Sequence, residues 1–169
     1  MTTNAAGLHV GVGDQLPSVG LRASDGYLLN LRSFVGKQPA VLVFFGGPTL
    51  DGAARDAGDA LVDGLKRGYE RLTQAGIALV GITCDNEEQQ KQYIERHELP
   101  FLLFSDERRS AVELLGVPTT ADGDNYNAQP TAVAVSRDGT IVDVVENAAP
   151  KGLIVRLLES IEESHPAQS

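Results

Sequence analysis

Apolar positions form continuous runs and helical stripes that alternate along the first half of the chain. The runs 40–45 and 77–83 are largely apolar and rich in β-branched residues, which is typical of strands buried on both faces. The stretch between them predicts a helix that Gly76 ends, because its apolar residues recur at helical spacing: Leu61, Leu65, Tyr69 and Leu72. Strand, helix, strand predicts two central parallel strands joined by a right-handed crossover.

The second half continues this alternation and then changes to antiparallel strands. Asp85, with Glu88 three residues later, predicts the N-cap of a helix from Asn86 to His97. A short apolar run at 101–104 and a short helix around 107–115 follow. The strands 131–135 and 141–145 flank Ser136-Arg137-Asp138-Gly139, which predicts a β-hairpin with an Asp-Gly turn.

The last helix and the chain ends complete a single domain. Pro150 stands where a first helical residue would, and it precedes an apolar stripe made of Leu153, Ile154, Leu157, Leu158 and Ile161. The Gly/Asp-rich stretch 118–129 predicts a surface loop. The polar composition of the ends predicts flexible tails at 1–9 and 163–169 around one domain at 10–162.

Charge and composition exclude several partners and sites. The chain has 169 residues and a formal net charge of −9, which disfavours nucleic acid and anionic membrane surfaces. No apolar stretch approaches the ~20 residues of a membrane span, and the start lacks a signal-peptide layout, so we expect a cytoplasmic protein. Cys84 is the only cysteine and the three histidines lie far apart in sequence, so we expect no disulfide within the chain, no metal site and no cofactor.

An ordered series of short motifs resembles the peroxiredoxin family, the alkyl hydroperoxide reductases and thiol-specific antioxidant proteins. The early motifs are Val12-Gly13-Asp14-Gln15-Leu16-Pro17, Asp25-Gly26, Leu29-Asn30-Leu31, Gly36-Lys37 and 40–45. The later ones are Gly81-Ile82-Thr83-Cys84-Asp85, 99–106 and Leu115-Gly116-Val117. The resemblance covers residues 10–162. It implies an α/β thioredoxin-like fold, with a central mixed β-sheet flanked by helices and a peroxiredoxin-type N-terminal extension, and it implies a thiol-dependent peroxidase that self-associates as a homodimer.

The chain departs from this family where the family carries its chemistry. The family's thiolate stands at the start of the helix after the strand at 41–45, where helix N–H groups and an Arg lower the thiol pKa. Residues 46–59 contain no cysteine, so the family's Pro-x-x-x-Thr-x-x-Cys motif is broken, with Gly52 or Arg55 at the nucleophile position. Before the late strand the family carries another Arg, and this chain reads Ala128-Gln129-Pro130-Thr131. Pro130-Thr131 instead resembles the cis-proline of thioredoxins.

Three groups of residues are candidates for function. Cys84 ends a central strand and is either a redox thiol or a small buried hydrophobe. A pocket at the helix start would use Gly46, Gly47, Pro48, Thr49, Asp51, Gly52, Arg55, Pro130 and Thr131. Within it, Asp51 is either a helix cap or a general acid/base. Arg55 either binds an anion or pairs on the surface with Asp51 or Asp59.

Three functions therefore stay open. The first is a binding or regulatory protein on a peroxiredoxin scaffold that has lost the peroxidatic cysteine. The second is an antioxidant thiol peroxidase that uses Cys84 with an external thiol reductant. The third is a non-thiol enzyme built on the Asp51 and Arg55 pocket. Expected partners are a small molecule, a protein thiol or a second copy of the chain.

Overall fold

The structure is a computed structural model that describes residues 8–23, 26–35, 38–46, 52–122 and 125–164. Its strands are β1 Gly20–Ala23, β2 Leu28–Asn30, β3 Ala40–Phe44, β4 Ala78–Thr83, β5 Leu103–Ser105, β6 Thr119–Asp122, β7 Asn125–Ala128, β8 Thr131–Val135 and β9 Ile141–Glu146. Its helices are α1 Leu31–Val35, α2 Gly52–Gln74, α3 Glu87–His97, α4 Ser110–Leu115 and α5 Leu153–Ser164.

Seven strands form one mixed sheet in the order β2-β1-β5-β4-β3-β8-β9. β3 pairs in parallel with β4, and β4 with β5, whereas β8 runs antiparallel to both β3 and β9. The predicted central parallel pair and the late hairpin are therefore confirmed. The central strand β3 is buried along its whole length, as a continuous apolar run predicts.

Two hydrophobic cores cover the two faces of this sheet. Because side chains alternate along a strand, Val41 and Val43 of β3 lie in the first core, whereas Leu42 and Phe44 lie in the second. Buried side chains of α2 and α5 belong to the first core, and those of α1 and α4 belong to the second. The two cores thus hold the sheet between helices on both sides.

Glycines allow α2 to lie very close to the segment that enters α5. A Cβ added at Gly64 would lie 2.7 Å from the Pro150 Cβ, and one added at Gly68 would lie 2.5 Å from the Ile154 Cγ1. Either distance is shorter than van der Waals contact, so a larger residue would push the two helices apart. Leu61, Leu65 and Leu72 of α2 are buried as the apolar stripe predicts.

The predicted first residues of two helices, α3 and α5, are wrong. The N-cap of α3 is Asn86 rather than Asp85, since the Asn86 Oδ1 accepts the Gln89 N–H at 2.8 Å and the Gln89 Oε1 accepts the Asn86 N–H at 3.0 Å. Asp85 is buried beside β5, where its carbonyl accepts the Ser105 hydroxyl at 2.7 Å. Pro150 is not the first helical residue, because α5 begins at Leu153, whose N–H reaches the Pro150 carbonyl.

Two further predictions fail between α4 and β8. The stretch predicted as a surface loop contains the antiparallel hairpin β6–β7, in which Thr119 pairs with Ala128. The cis-proline expected at Pro130 is wrong as well, since no cis peptide bond occurs in the part of the chain that the structure describes. The Gln129 N–H is instead bonded to the Pro118 carbonyl at 2.8 Å, which closes the base of the hairpin.

The chain ends are described only in part. The His9 N–H donates to the Leu115 carbonyl at 2.7 Å, so this residue is bonded to α4. At the other end α5 continues to Ser164, two residues past the predicted boundary. No helix among the described residues combines the length and the apolar character that crossing a membrane requires.

Candidate functional site

The C-terminal ends of β3 and β4 lie side by side at one edge of the sheet, as expected of parallel strands. Phe44 of β3 is paired with Ile82 of β4 on one side and with Thr131 of β8 on the other. Gly46 follows β3 at this edge and Cys84 follows β4. The structure therefore brings Gly46, Cys84 and Thr131 to one edge of the sheet, which is where α/β folds carry their sites.

The start of α2 is described from Gly52 onward. Gly47, Pro48, Thr49 and Asp51 of the predicted pocket lie outside the described residues. Gly52 has a φ of 62°, a left-handed conformation that favours glycine. Arg55 is exposed, and its Nε lies 3.8 Å from the Asp59 Oδ2, so it forms the i,i+4 surface pair that was one of its two expected fates.

A polar cluster that sequence reasoning missed lies between α2 and α3. The Tyr93 hydroxyl donates to the Asp59 Oδ1 at 3.0 Å, and the His97 Nε2 lies 3.5 Å from the same oxygen. The rings of Tyr93 and His97 are 4.3 Å apart, and the Tyr93 ring is 6.1 Å from that of Phe45. Burial and the Asp59 carboxylate raise the pKa of Tyr93, so it stays a neutral donor.

The i,i+4 spacing of Tyr93 and His97 on α3 was the only sequence signal for this cluster. Asp59 is 34 residues away from Tyr93 along the chain, so its contribution depends on how the two helices pack. The cluster connects α2 to α3 beside Phe45, the residue that follows β3.

Cys84 lies on the opposite face of the sheet from α2. Its half-buried side chain packs against the second core, whereas α2 covers the first. Burial, followed by the Asp106 and Asp85 carboxylates, raises the pKa of the Cys84 thiol to about 12, and Arg109 acts in the opposite direction. These surroundings are the reverse of the electropositive site that activates a cysteine.

Backbone N–H groups in the first turn of α4 hold the Asp106 carboxylate, one of the charges near Cys84. The Asp106 carboxylate is buried and accepts the Ala111 and Val112 N–H groups at 3.0 and 2.8 Å. Burial raises the pKa of Asp106 although these backbone hydrogen bonds lower it. The Arg109 guanidinium lies 3.8 Å from the centre of the Tyr126 ring, a cation–π contact that attaches the β6–β7 hairpin to this region.

Pro130 and Thr131 form hydrogen bonds with neighbouring backbone. The Pro130 carbonyl accepts the Ala148 N–H at 2.9 Å, and the Thr131 hydroxyl donates to the Gln129 carbonyl at 3.0 Å. Thr131 is 1% exposed, so its side chain offers little to a ligand in this conformation. Among the described residues, no group of three or more His, Cys, Asp or Glu side chains is arranged to hold a metal ion.

Comparison with known proteins agrees with the architecture. The sequence model of the AhpC/TSA family matches residues 12–144. The chain is 32% identical over 114 residues to the chloroplastic peroxiredoxin Q of Populus jackii, covering 68% of this chain and 51% of that protein. It is 25% identical over 137 residues to the putative peroxiredoxin bcp of Coxiella burnetii, covering 79% of this chain and 87% of that one. The chain thus spans about half the length of the plant relative.

Solved structures share the fold at low sequence identity. Peroxidoxin BcpB from Mycobacterium tuberculosis superposes with a TM-score of 0.78 at 17% identity, covering 92% of this chain and 98% of that one. AhpC from Enterococcus faecalis superposes with a TM-score of 0.76 at 12% identity, covering 94% and 97%. The predicted thioredoxin-like, peroxiredoxin-type architecture is confirmed. The ordered motifs, the mixed sheet between two helical layers and the match over residues 12–144 together show that the chain belongs to the AhpC/TSA family of peroxiredoxins.

Proposed function

We propose that this chain has lost the peroxidatic cysteine of its family and acts as a binding or regulatory protein. The observation that carries the proposal is the place of its only cysteine. Cys84 follows β4 and packs against the second core, across the sheet from α2, and its surroundings raise the thiol pKa to about 12. The helix start where the family places its thiolate has no sulfur to offer, because residues 46–59 contain no cysteine.

The thiol pKa decides how much nucleophile is present. At pH 7 a thiol with a pKa of about 12 is ionised in roughly one molecule in 10⁵. The thiolate, not the thiol, attacks the peroxide oxygen. A peroxidase that relied on Cys84 would therefore need a rearrangement that exposes the thiol and removes the influence of Asp106.

The proposed binding site lies at the same end of the sheet. Gly46 and Gly52 bracket the segment that contains Gly47, Pro48, Thr49 and Asp51, with Arg55 one turn into α2. Glycines there permit a ligand to approach the backbone, and Arg55 would supply a cation near the helix start by exchanging its surface pair with Asp59 for an anion. A small molecule or a protein thiol is the proposed occupant. Assembly into a homodimer is part of the proposal, and sedimentation equilibrium tests it.

The decisive experiment measures peroxide consumption by the reduced protein with a thiol donor, beside the Cys84→Ser variant. Mass spectrometry of the protein after one equivalent of hydrogen peroxide reports the state of Cys84. We expect both proteins to consume peroxide at the same background rate, and Cys84 to stay unmodified.

Family membership favours one other function, a thiol peroxidase that uses Cys84 with an external reductant. Fast turnover that disappears in Cys84→Ser, with sulfenylated Cys84 in the parent protein, would establish that function and overturn the proposal.

A further inference from the structure

The sheet has a notch at the N-terminal end of β4, which is the end of the strands opposite the candidate site. β4 begins at Ala78, but its neighbour β5 begins only at Leu103, which pairs with Gly81. β3 pairs with β4 from Ala78 onward. The first three residues of β4 therefore have a strand on one side only.

Backbone groups of Leu79 face this notch. The Ala78 N–H donates to the Pro39 carbonyl on the β3 side, whereas the Gly81 N–H donates to the Leu102 carbonyl on the β5 side. Peptide groups of successive residues alternate in direction along a strand, so Leu79 directs its N–H and its C=O the same way as Gly81. No hydrogen bond among the described residues reaches either group on that side.

Aromatic side chains stand above and below the notch. A cavity of about 280 Å³ opens there, with Ala78, Leu79 and Val80 in its lining. On the second-core side its wall is the Phe34–Phe104 pair, with ring centres 5.8 Å apart. On the first-core side the wall is the Tyr69–Phe101 pair, at 6.1 Å.

We propose that this notch binds a small planar heteroaromatic molecule of the aminopyrimidine or nucleobase class. Hydrogen bonds from Leu79 run in the plane of the sheet, so a flat ring that accepts from its N–H and donates to its C=O lies in that plane. The two faces of the ring then meet the two aromatic pairs, where stacking is favourable. Since a cavity of about 150 Å³ holds benzene, the space is enough for one or two fused rings.

The chemistry of the ligand follows from the backbone. The Leu79 N–H needs an acceptor such as a ring nitrogen, and its C=O needs a donor such as an exocyclic amine. A purely apolar ring would cover both groups and give neither of them a hydrogen-bond partner, at a loss of affinity. The site lies at the opposite end of the strands from the Cys84 edge, so it does not depend on whether thiol chemistry is retained.

Two probes of the same shape test the recognition. 2-Aminopyrimidine has a ring nitrogen next to an amine, and 2-methylpyrimidine replaces that amine with a methyl group. Each probe is titrated into the isotope-labelled chain, and the amide chemical shifts are measured by NMR. 2-Aminopyrimidine is expected to shift the amide signals of Leu79, Val80 and Leu102. We expect 2-methylpyrimidine to bind at least tenfold more weakly.

A matched pair of variants tests the location. Thr73 is an exposed residue of α2 that lines the cavity, and Glu70 is an exposed residue of the same helix that does not. Thr73→Trp fills the cavity and is expected to abolish the 2-aminopyrimidine shifts, whereas Glu70→Trp leaves them unchanged. Equal affinity for the two probes, shifts outside the notch, or no shifts at millimolar concentration would each overturn the proposal.

Discussion

Three influences disfavour ionisation of the Cys84 thiol and one favours it. Burial acts most strongly, the Asp106 and Asp85 carboxylates act in the same direction, and only Arg109 opposes them. A buried thiol without a nearby excess of positive charge behaves as a small hydrophobe. At this residue the physical chemistry thus favours packing over nucleophilic attack.

The reactivity of Cys84 is expected to keep rising far into alkaline pH. Because the thiol pKa is raised to about 12, the alkylation rate with iodoacetamide should increase about tenfold per pH unit between pH 7 and pH 10. Mass spectrometry of quenched samples measures the rate, with Cys84→Ser as the background and a small free thiol in the same buffers as reference. A plateau below pH 8 would show that the native thiol is activated.

At the scale of elements, partly buried polar contacts stabilise the helices in addition to apolar packing. α3 begins in the reciprocal Asn86–Gln89 box, and α5 is joined to β9 through Asp143, whose carboxylate accepts Arg156 Nε and Nη2 at 2.9 Å each and the Ser160 hydroxyl at 2.7 Å. Each contact gives a partly buried polar group a hydrogen-bond partner.

Removing the N-cap of α3 is expected to lower the stability of the protein. This cap is Asn86, whereas the sequence pattern predicted Asp85, one residue earlier. Asn86→Ala leaves the Gln89 N–H without its acceptor and should reduce the free energy of unfolding by about 1 kcal/mol. Urea denaturation measures the change. Glu88→Ala is the control, because Glu88 is exposed and would complete a box only if Asp85 were the cap. A larger loss from Glu88→Ala than from Asn86→Ala would contradict this assignment.

The Asp143 contact is expected to make stability depend on acid pH. Hydrogen bonding from Arg156 is the main reason that the pKa of Asp143 is lowered. A carboxyl with a lowered folded-state pKa stabilises the fold above its unfolded pKa of about 3.9, and this contribution is lost as the pH falls through the folded value. Asp143→Asn should cost about 1–3 kcal/mol at pH 7, with a difference from the parent that shrinks below about pH 4.

Urea denaturation at pH 7, 5 and 3.5 measures this dependence. Arg67→Gln is the control, because its pair with Asp63 at 3.0 Å has side chains that are 73% and 57% exposed. That change should cost about 0.5 kcal/mol or less. A difference between Asp143→Asn and the parent that stays constant down to pH 3.5 would contradict the assigned role.

At the scale of the whole molecule, the two cores share one set of strands. β3 supplies Val41 and Val43 to the first core and Leu42 and Phe44 to the second. Loss of packing on one face therefore loosens the strand that the other face needs. This coupling favours unfolding of both layers in a single transition.

Leu42→Ala is expected to destabilise both layers together. Leu42 is fully buried, so the change should cost about 2–5 kcal/mol through lost burial and the cavity left behind. Far-UV and near-UV circular dichroism should give coincident urea transitions. Val155→Ala, at a residue that is 41% exposed, serves as the control with about 0.5 kcal/mol or less. Two separate transitions in Leu42→Ala would show that the faces unfold independently.

Local pattern predicted the main strands and helices of this chain, and its ordered motifs predicted the family. The runs that became β3 and β4, the stripe of α2 and the late hairpin were all predicted, because burial of a strand or helix imposes a period on its own sequence. The ordered motifs between residues 12 and 117 were sufficient to predict the family, and the match of the family model over residues 12–144 confirms that prediction. The absence of cysteine from residues 46–59 is likewise read directly from the sequence, whereas loss of the peroxidatic cysteine is part of the proposal.

Tertiary structure alone decided which groups meet. Asp85, which is not the cap, accepts a hydrogen bond from Ser105 of β5 instead. The hairpin within 118–129 contacts Arg109 through Tyr126, and the Gln129–Pro118 hydrogen bond closes its base. Contacts between distant segments also decide three other features. These are the face of the sheet on which Cys84 lies, the sharing of Asp59 by Tyr93 and His97, and the late start of β5 beside Leu79. A sequence period reports whether a residue is buried, but not which residue it is buried against.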